Sequence, residues 1–471
     1  MSLLFRRSLA TVAETAIKVA EPKVVDVLIV GGGPAGLTLS AALKNSRVTR
    51  DLKVSLIEGF NLQAVRDFHQ NTPEILTNRV VSLTPQTVDY LQHIGAWKWI
   101  KQERIQPYDS MIITEGLSDA RLGFDHPEIA TMCENVNIQS SLYQRIEELK
   151  SEAKEDFGLD IIDNTKVTQI TKCPISKWPI VHLSNGEQIK TRLLVGADGF
   201  NSPVRKFAGI ESRGWFYQRF GVVATLKLEY PPFQRTAYQR FLPTGPIAML
   251  PMPEDRATMV WSTTVPLSDV LTKIDEELFV KLVNAAFLLE DVDMSYYHKK
   301  ILAGETEGLL EDLDWRIEHA TQKYTEDELD EKFPVRVVGI ETGSRARFPL
   351  RLSHADTYVE ERIALVGDAA HTTHPLAGQG LNMGQGDVQS LVHHLERGLE
   401  RGLDLGNPLV LEPYWADRYP VNNMLLGVVD KLHKLYSLTA EPVVALRSFG
   451  LNAINQLGFL KDFMIKQVSG K

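Results

Sequence analysis

Residues Val24 to Val30 (VVDVLIV) form an apolar, β-branched run that ends abruptly at Gly31-Gly32-Gly33-Pro34-Ala35-Gly36. Leu37, Leu39, Ala41, Ala42 and Leu43 follow at helical density, and a second run, Lys53 to Ile57, stops at Glu58. Strand, glycine turn, helix, strand and acid, in that order, make up the βαβ unit that binds a dinucleotide. The unit commits this end of the chain to a parallel sheet with helices packed on it. Gly31 allows the tight turn, Gly33 lets the backbone approach a pyrophosphate, and Gly36 lets the helix lie close to the sheet. Glu58 stands where an acid can bind ribose hydroxyls. The unit alone does not separate FAD from NAD. Val27 to Leu43 is uncharged, but its glycines, its proline and its length argue against a membrane span, which needs about 20 apolar residues.

Two further strand ends carry an acid beside a glycine. Ile189 to Val195 runs into Gly196-Ala197-Asp198-Gly199, and Ser202-Pro203 then read as the N-cap and first residue of a helix. Asn185-Gly186 is a two-residue hairpin turn leading into that strand. Much later, Ile363 to Val366 stops at Gly367-Asp368, a glycine-rich turn follows, and a helical pattern begins at Leu381. An acid at a strand end can accept hydrogen bonds from a sugar, and a fresh helix N-terminus offers N–H groups to an anion. Arg79, in Asn78-Arg79-Val80-Val81, either reaches toward the cofactor or pairs with a surface acid.

The remaining chain supplies the walls. Short strands are expected at Gly221–Leu228, Tyr238–Phe241, Ile247–Pro251 and Thr258–Ser262, an antiparallel sheet laid on the nucleotide unit. Residues 268–333 read as helical and acidic, a solvated face. Helical stripes follow at Leu425, Val429, Leu432 and Leu435, and again from Leu446 to Met464 with Arg447, Lys461 and Lys466. A net charge of −9 argues against nucleic-acid binding. Two cysteines, Cys133 and Cys173, outside any CxxC pair, argue against a disulfide framework or a thiolate metal site. The spacing of His371 and His374 is H-x-x-H, but no third ligand is evident and local hydrogen bonding explains them better. No metal is expected. The first 20 residues carry Arg6 and Arg7 and no acid before Glu14, like a mitochondrial presequence.

Taken together, Gly31–Glu58, Asp198–Arg205 (D-G-x-x-S-x-x-R in pattern) and Gly367–His371 (G-D-A-A-H) resemble the aromatic-ring hydroxylases, flavin monooxygenases of the p-hydroxybenzoate hydroxylase fold. NIQSSLY, RLLVGADGFNSPVR, FLPTGPIAMLPMP, RARFPL and VGDAAHTTHPLAGQGLNMG sharpen this to the ubiquinone-biosynthesis hydroxylases and their mitochondrial branch, which acts at ring position C5. The resemblance implies an α/β fold: a Rossmann-like FAD-binding domain from residues 24–85, 131–210 and 345–400. A substrate domain would interleave with it as an antiparallel sheet from 86–130 and 211–344, carrying the acidic insertion 268–333, with C-terminal helices over 401–471. FAD is the implied cofactor: Gly31, Gly33, Gly36 and Glu58 on the ADP half, Arg79 and Gln139 lining the site, Asp198 near the pyrophosphate. Gly367 and Asp368 would hold the ribityl chain, and the turn with Pro375, Gly378, Gly380, Leu381 and Asn382 would face the isoalloxazine.

The implied reaction hydroxylates C5 of a 4-hydroxy-3-polyprenylbenzoate-type ring with O₂ through a flavin C4a-hydroperoxide, and no catalytic base is named. Electrons would pass from NADPH through ferredoxin reductase and ferredoxin. The implied setting is the matrix side of the mitochondrial inner membrane, as a peripheral protein beside other ubiquinone-biosynthesis proteins. A flavin oxygenase acting on another phenol, and a non-enzymatic prenyl-binding escort on the same fold, remain open alternatives at this level.

Overall fold

The computed structural model describes residues 21–118, 120–153, 156–373 and 378–436, with 438, 440, 442–445 and 447. The presequence expected over residues 1–20, Pro375, His374 and, apart from Arg447, the Leu446–Met464 stripe lie outside the described residues.

Two sheets carry the chain. The first runs in the order Val359–Glu360, Ile363–Leu365, Gln188–Gly196, Lys23–Val30, Val54–Ile57, Leu159–Ile162, with a hairpin from Val167–Lys172 and Pro179–Leu183 at the edge of Gln188–Gly196. The pairings from Ile363–Leu365 to Leu159–Ile162 are parallel. Val27, Leu28, Ile29, Leu193 and Leu194 are fully buried, as a parallel strand covered on both faces must be. Helix Pro34–Asn45 packs between helices Asn135–Glu152 and Gly380–Glu400. Register is what matters for function. Val30 pairs with both Ile57 and Gly196, and Gly196 pairs with Leu365. The carboxyl ends of four strands are therefore level, and Glu58, Gly31, Asp198 and Asp368 follow them along one edge.

The second sheet has ten strands: His371–Thr372, Ala346–Ala355, Ser212–Leu228, Arg256–Thr264, Gly245–Pro251, Thr236–Leu242, Gln106–Glu115, Arg121–Glu134 and Val80–Leu83, with Val337–Ile340 on Ser212–Leu228. All pairings are antiparallel except Thr236–Leu242 with Gln106–Glu115. The expected strands between 221 and 262 are present and longer. Gln106–Glu115 and Arg121–Glu134 carry no clean alternation, because a wall that is part solvated and part cavity mixes polar and apolar positions. Val80–Leu83 and Ala346–Ala355, placed above within the nucleotide segments, hydrogen-bond into this second sheet instead.

Residues 265–332 fold as five helices whose apolar side chains, Phe279, Leu282, Val283 and Leu313 among them, are fully buried in one cluster with Val222, Ala224 and Trp261. Glu311, Glu318 and Glu326 stay exposed, so the acid-rich composition is a solvated face.

Helix Pro408–Tyr436 crosses from one sheet to the other. Tyr414 Oη donates to Leu365 O at 2.6 Å, and Tyr436 stacks on Phe241 at 3.8 Å between ring centroids. Beyond it, Arg447 closes an ion pair with Glu115 at 2.7 Å, their side chains 2% and 0% exposed, and donates to Leu435 O and Leu438 O. Among the described residues no helix is long and apolar enough to cross a membrane.

Candidate FAD and substrate site

At the first turn, Gly31 adopts φ +111°, and a Cβ there would overlap the carbonyl oxygen of Ala197 and come within 2.5 Å of its carbon. A Cβ on Gly36 would overlap Gly31 O, so the helix can pack this closely only as glycine. Gly33 has nothing within 4 Å of its Cβ position, which leaves an open cradle at the helix start. Glu58 braces the turn: its Oε2 accepts from Gly32 N at 2.5 Å and its Oε1 from Phe60 N at 2.8 Å. Gln139 Nε2 donates to Gly32 O at 3.1 Å from helix Asn135–Glu152. Arg79 is brought less close. Its backbone oxygen accepts from Asn135 N, while its side chain is exposed and does not line the cavity described below.

The middle motif caps its own short helix. Ser202 accepts from Arg205 N at 2.9 Å, with Pro203 at the first helical position. Asp198 Oδ2 accepts from Val204 N at 3.2 Å, while Oδ1 is buried without a hydrogen-bond partner among the described residues. Burial raises the Asp198 carboxyl above its ordinary pKa, against hydrogen bonds from Ser202 and Val204. Arg205 reaches across to the third motif and donates to Ala369 O at 2.6 Å.

The third motif stands on a buried hub that residue patterns did not announce. Asp387, fully buried on helix Gly380–Glu400, accepts from Gly367 N at 3.1 Å and bonds His371 Nε2 at 2.5 Å. It also accepts from Arg418 Nε and Asn422 Nδ2, both at 3.0 Å, from helix Pro408–Tyr436. Burial pushes its carboxyl up, but the charge and hydrogen bond of His371, with Arg418, hold it down at about 2. The signal available in the sequence was one acid on an otherwise apolar helix face with Val388 and Leu391. Asp368 points the other way, exposed to the cavity yet crowded by protein that raises its pKa, with His371 opposing. Asn382 ties the turn down, donating to Ser82 O at 2.8 Å and Gly378 O at 3.1 Å and accepting from Thr84 N at 3.0 Å.

One cavity of about 790 Å³ is lined by part of each turn, while Gly31, Gly36, Glu58, Gln139, Asp198 and Asn382 stand behind its lining. At one end lie Gly33, Pro34, Ala197, Gly199, Gly367, Asp368, Gly378, Gly380 and Leu381. The N-termini of helices Pro34–Asn45 and Gly380–Glu400 both face it, and neither has a side-chain cap or an acid in its first turn. Two uncapped positive ends, an open glycine cradle and a carboxylate aimed into the space fit a phosphate-bearing, polyhydroxylated cofactor. The other end is apolar: Met111, Phe124, Met132, Phe241, Leu250 and Phe348, with Val429 and Leu432. Arg351 is the one cation among the described lining residues; it stacks 4.8 Å from the Phe200 ring, and its Nε has no hydrogen-bond partner among the described residues. Nothing in the sequence distinguished it from the arginines just before it. A hollow of about 1050 Å³ bordered by Arg66, Tyr143 and Gln188 holds no residue of the three motifs. Among the described residues no group of three His, Cys, Asp or Glu could hold a metal ion.

The family model described as an FAD binding domain matches residues 24–306 and 309–426. The mitochondrial ubiquinone biosynthesis monooxygenase COQ6 of Saccharomyces cerevisiae is 54% identical, over 99% of this chain and 98% of its own length. The Homo sapiens protein of that name is 36% identical over 93% of this chain and 91% of its own. Among solved structures, p-nitrophenol 4-monooxygenase PnpA of Pseudomonas putida superposes with a TM-score of 0.65 at 16% identity, covering 95% of this chain and 99% of that one. PqsL of Pseudomonas aeruginosa, a probable FAD-dependent monooxygenase, gives 0.64 at 20% identity over 91% of this chain and 100% of its own. The last two likenesses concern the fold.

Proposed function

The chain belongs to the FAD-binding monooxygenases of ubiquinone biosynthesis, and on that premise we propose that it hydroxylates C5 of a 4-hydroxy-3-polyprenylbenzoate-type ring. The observation that carries this reading is the cavity itself, lined by the glycine turns with Asp368 and by a set of apolar side chains, with Arg351 among its lining residues. FAD, when bound and reduced, supplies the oxygen activation that lets one atom of O₂ pass to an electron-rich phenol.

The protein's part is binding, orientation and water exclusion. Gly31, Gly33 and Gly36 shape the seat of the ADP half, Glu58 takes its ribose, and Gln139 steadies the turn. Arg79 would have to swing in from the surface to join them. Asp198 stands near the pyrophosphate, and Gly367 and Asp368 take the ribityl hydroxyls. The uncapped helix at Gly380 and Leu381, with Gly378 and the turn that Asn382 pins, faces the isoalloxazine and favours negative charge there; Pro375 belongs to the same turn. Arg351 pairs with the ring's carboxylate, and the apolar end shields the prenyl tail. No group in the cavity is assigned as a base.

Electrons come from NADPH through ferredoxin reductase and ferredoxin, and the working place is the matrix face of the mitochondrial inner membrane among other ubiquinone-biosynthesis proteins. The test is direct. Purified protein should show a flavin spectrum and insert one labelled oxygen from O₂ at C5 when given ferredoxin, its reductase and NADPH. A ring lacking its carboxyl should turn over at least about tenfold more slowly, the loss expected for one charge-assisted contact, and a ring lacking its tail should slow through lost apolar burial. A protein that purifies without flavin would instead be a prenyl-binding escort. Rapid flavin reduction by NADPH alone would overturn the electron route, and equal turnover of a soluble phenol would overturn the substrate.

Asp368→Ala bears on the site independently of turnover. Losing charge-assisted hydrogen bonds of about 1.5–3 kcal/mol predicts FAD affinity lower by roughly 10- to 150-fold, with the melting temperature of the flavin-free protein unchanged. Full affinity in a folded variant, read by flavin fluorescence titration, would remove Asp368 from the site.

A further inference from the structure

On helix Pro408–Tyr436, Val421, Met424, Val428, Leu432 and Leu435 recur at spacings of three and four, which gathers all five on one face. That face lies open: the five side chains are 48%, 57%, 49%, 40% and 38% exposed. Trp215, 46% exposed, extends it from strand Ser212–Leu228. Lys434 Nζ sits 4.6 Å over the Trp215 ring and Tyr217 Oη donates to Asp430 Oδ1 at 3.0 Å, so helix and strand form one surface.

Its borders say what covers it. Along one side Lys431 and Lys434 are exposed, while Asp430, which pairs with Lys434 at 2.7 Å, is turned inward. In a chain of net charge −9 this is a local positive margin, suited to anionic headgroups. Along the other side Val429 and Leu432 line the apolar end of the cavity, so the open face and the cavity wall share a side chain. A second copy of the chain fits less well. From Val421 to Leu435 the helix rises about 21 Å and is about 10 Å wide, which gives a helical patch of roughly 200 Å². A stable dimer buries about 800 Å² on each side.

We infer that this face of helix Pro408–Tyr436, with Trp215, seats on an anionic lipid bilayer, so that the apolar end of the cavity opens toward the acyl layer. The inference rests on the prenylated substrate proposed above: a tail held in lipid then reaches the ring site without crossing water.

The test uses the full, flavin-loaded chain and flotation with vesicles of phosphatidylcholine containing cardiolipin, beside vesicles of phosphatidylcholine alone. The wild type should float with the anionic vesicles and less with the neutral ones. The double variant Met424→Glu, Val428→Glu, whose positions do not line the cavity, should lose about tenfold or more of that partition. It should keep its flavin and its turnover of a short-tailed analogue in detergent, and slow on a vesicle-borne polyprenyl substrate. Unchanged flotation would overturn the inference, and a lowered melting temperature beside it would show that the chain itself covers the face. So would a dimer in sedimentation that the double variant alone dissociates. A wild type that hydroxylates no prenylated ring even in detergent would defeat the proposed substrate instead, leaving the flotation result to be judged separately.

Discussion

Gly31→Ala is expected to yield a chain that is poorly folded and holds no flavin. The added methyl group would overlap the carbonyl of Ala197, a backbone atom at the exit of the neighbouring parallel strand, where no side chain can rotate away. It would also sit on a residue at φ +111°, outside the ordinary range of L residues. Overpacking of this kind costs about 1–3 kcal/mol, and the backbone conformation about 1–2 kcal/mol more. Because the collision pushes the first and second motifs apart, the cost falls on the cofactor seat as well as on the fold. FAD affinity should drop more than about 100-fold, and the flavin-free chain should melt several degrees lower. Gly33→Ala separates the two effects. With nothing within 4 Å of its Cβ position it should melt like the wild type and lose only cofactor affinity. Thermal melts of the flavin-free proteins beside flavin titrations decide it, and a Gly31→Ala protein that matches the wild type in both would mean the turn is not built as described.

The second large effect is expected at the far end of the chain. Arg447→Met leaves Glu115 charged, fully buried and stripped of its partner. Breaking a buried ion pair from one side costs about 3–5 kcal/mol, since the abandoned charge keeps its desolvation penalty. Replacing both residues removes that penalty, and Glu115→Met with Arg447→Met should come within about 1 kcal/mol of the wild type. Chemical denaturation of the two single variants and the double distinguishes this from simple loss of packing, which would make the double variant the worst. Glu115 ends a strand that forms a cavity wall, through Met111 and Ile113. Substrate affinity should therefore weaken along with stability in the single variants and recover in the double.

The chemistry of the site was legible in the sequence where it depends on neighbours along the chain. A glycine that must adopt positive φ, an acid at a strand end and a Ser-Pro helix start each announce themselves within a few residues. The Asn185-Gly186 hairpin and the Ser202 cap were legible for the same reason. What depends on pairing across the fold was not. Asp387 looks like one more helix acid until Gly367, His371, Arg418 and Asn422 are seen around it. Arg351 becomes the cavity's cation only because the strand Ala346–Ala355 lies in the second sheet, across from Phe200. Gln106–Glu115 and Arg121–Glu134 were unreadable as strands because both their faces are mixed. Asn382 lies in the turn expected to face the flavin, and its visible work is holding that turn to Ser82 and Thr84.

The order of strands in the first sheet also sets a schedule for folding. Lys23–Val30 and Gln188–Gly196 are adjacent, yet the next neighbour, Ile363–Leu365, comes nearly 170 residues later in the chain. The turn it leads into is braced by Asp387, Arg418 and Asn422, which come later still. Closing loops of this length is slow compared with forming local hairpins. A growing chain therefore builds the glycine cradle first and waits for almost its whole length before the opposite wall of the same seat exists. Flavin is then expected to enter a nearly finished molecule.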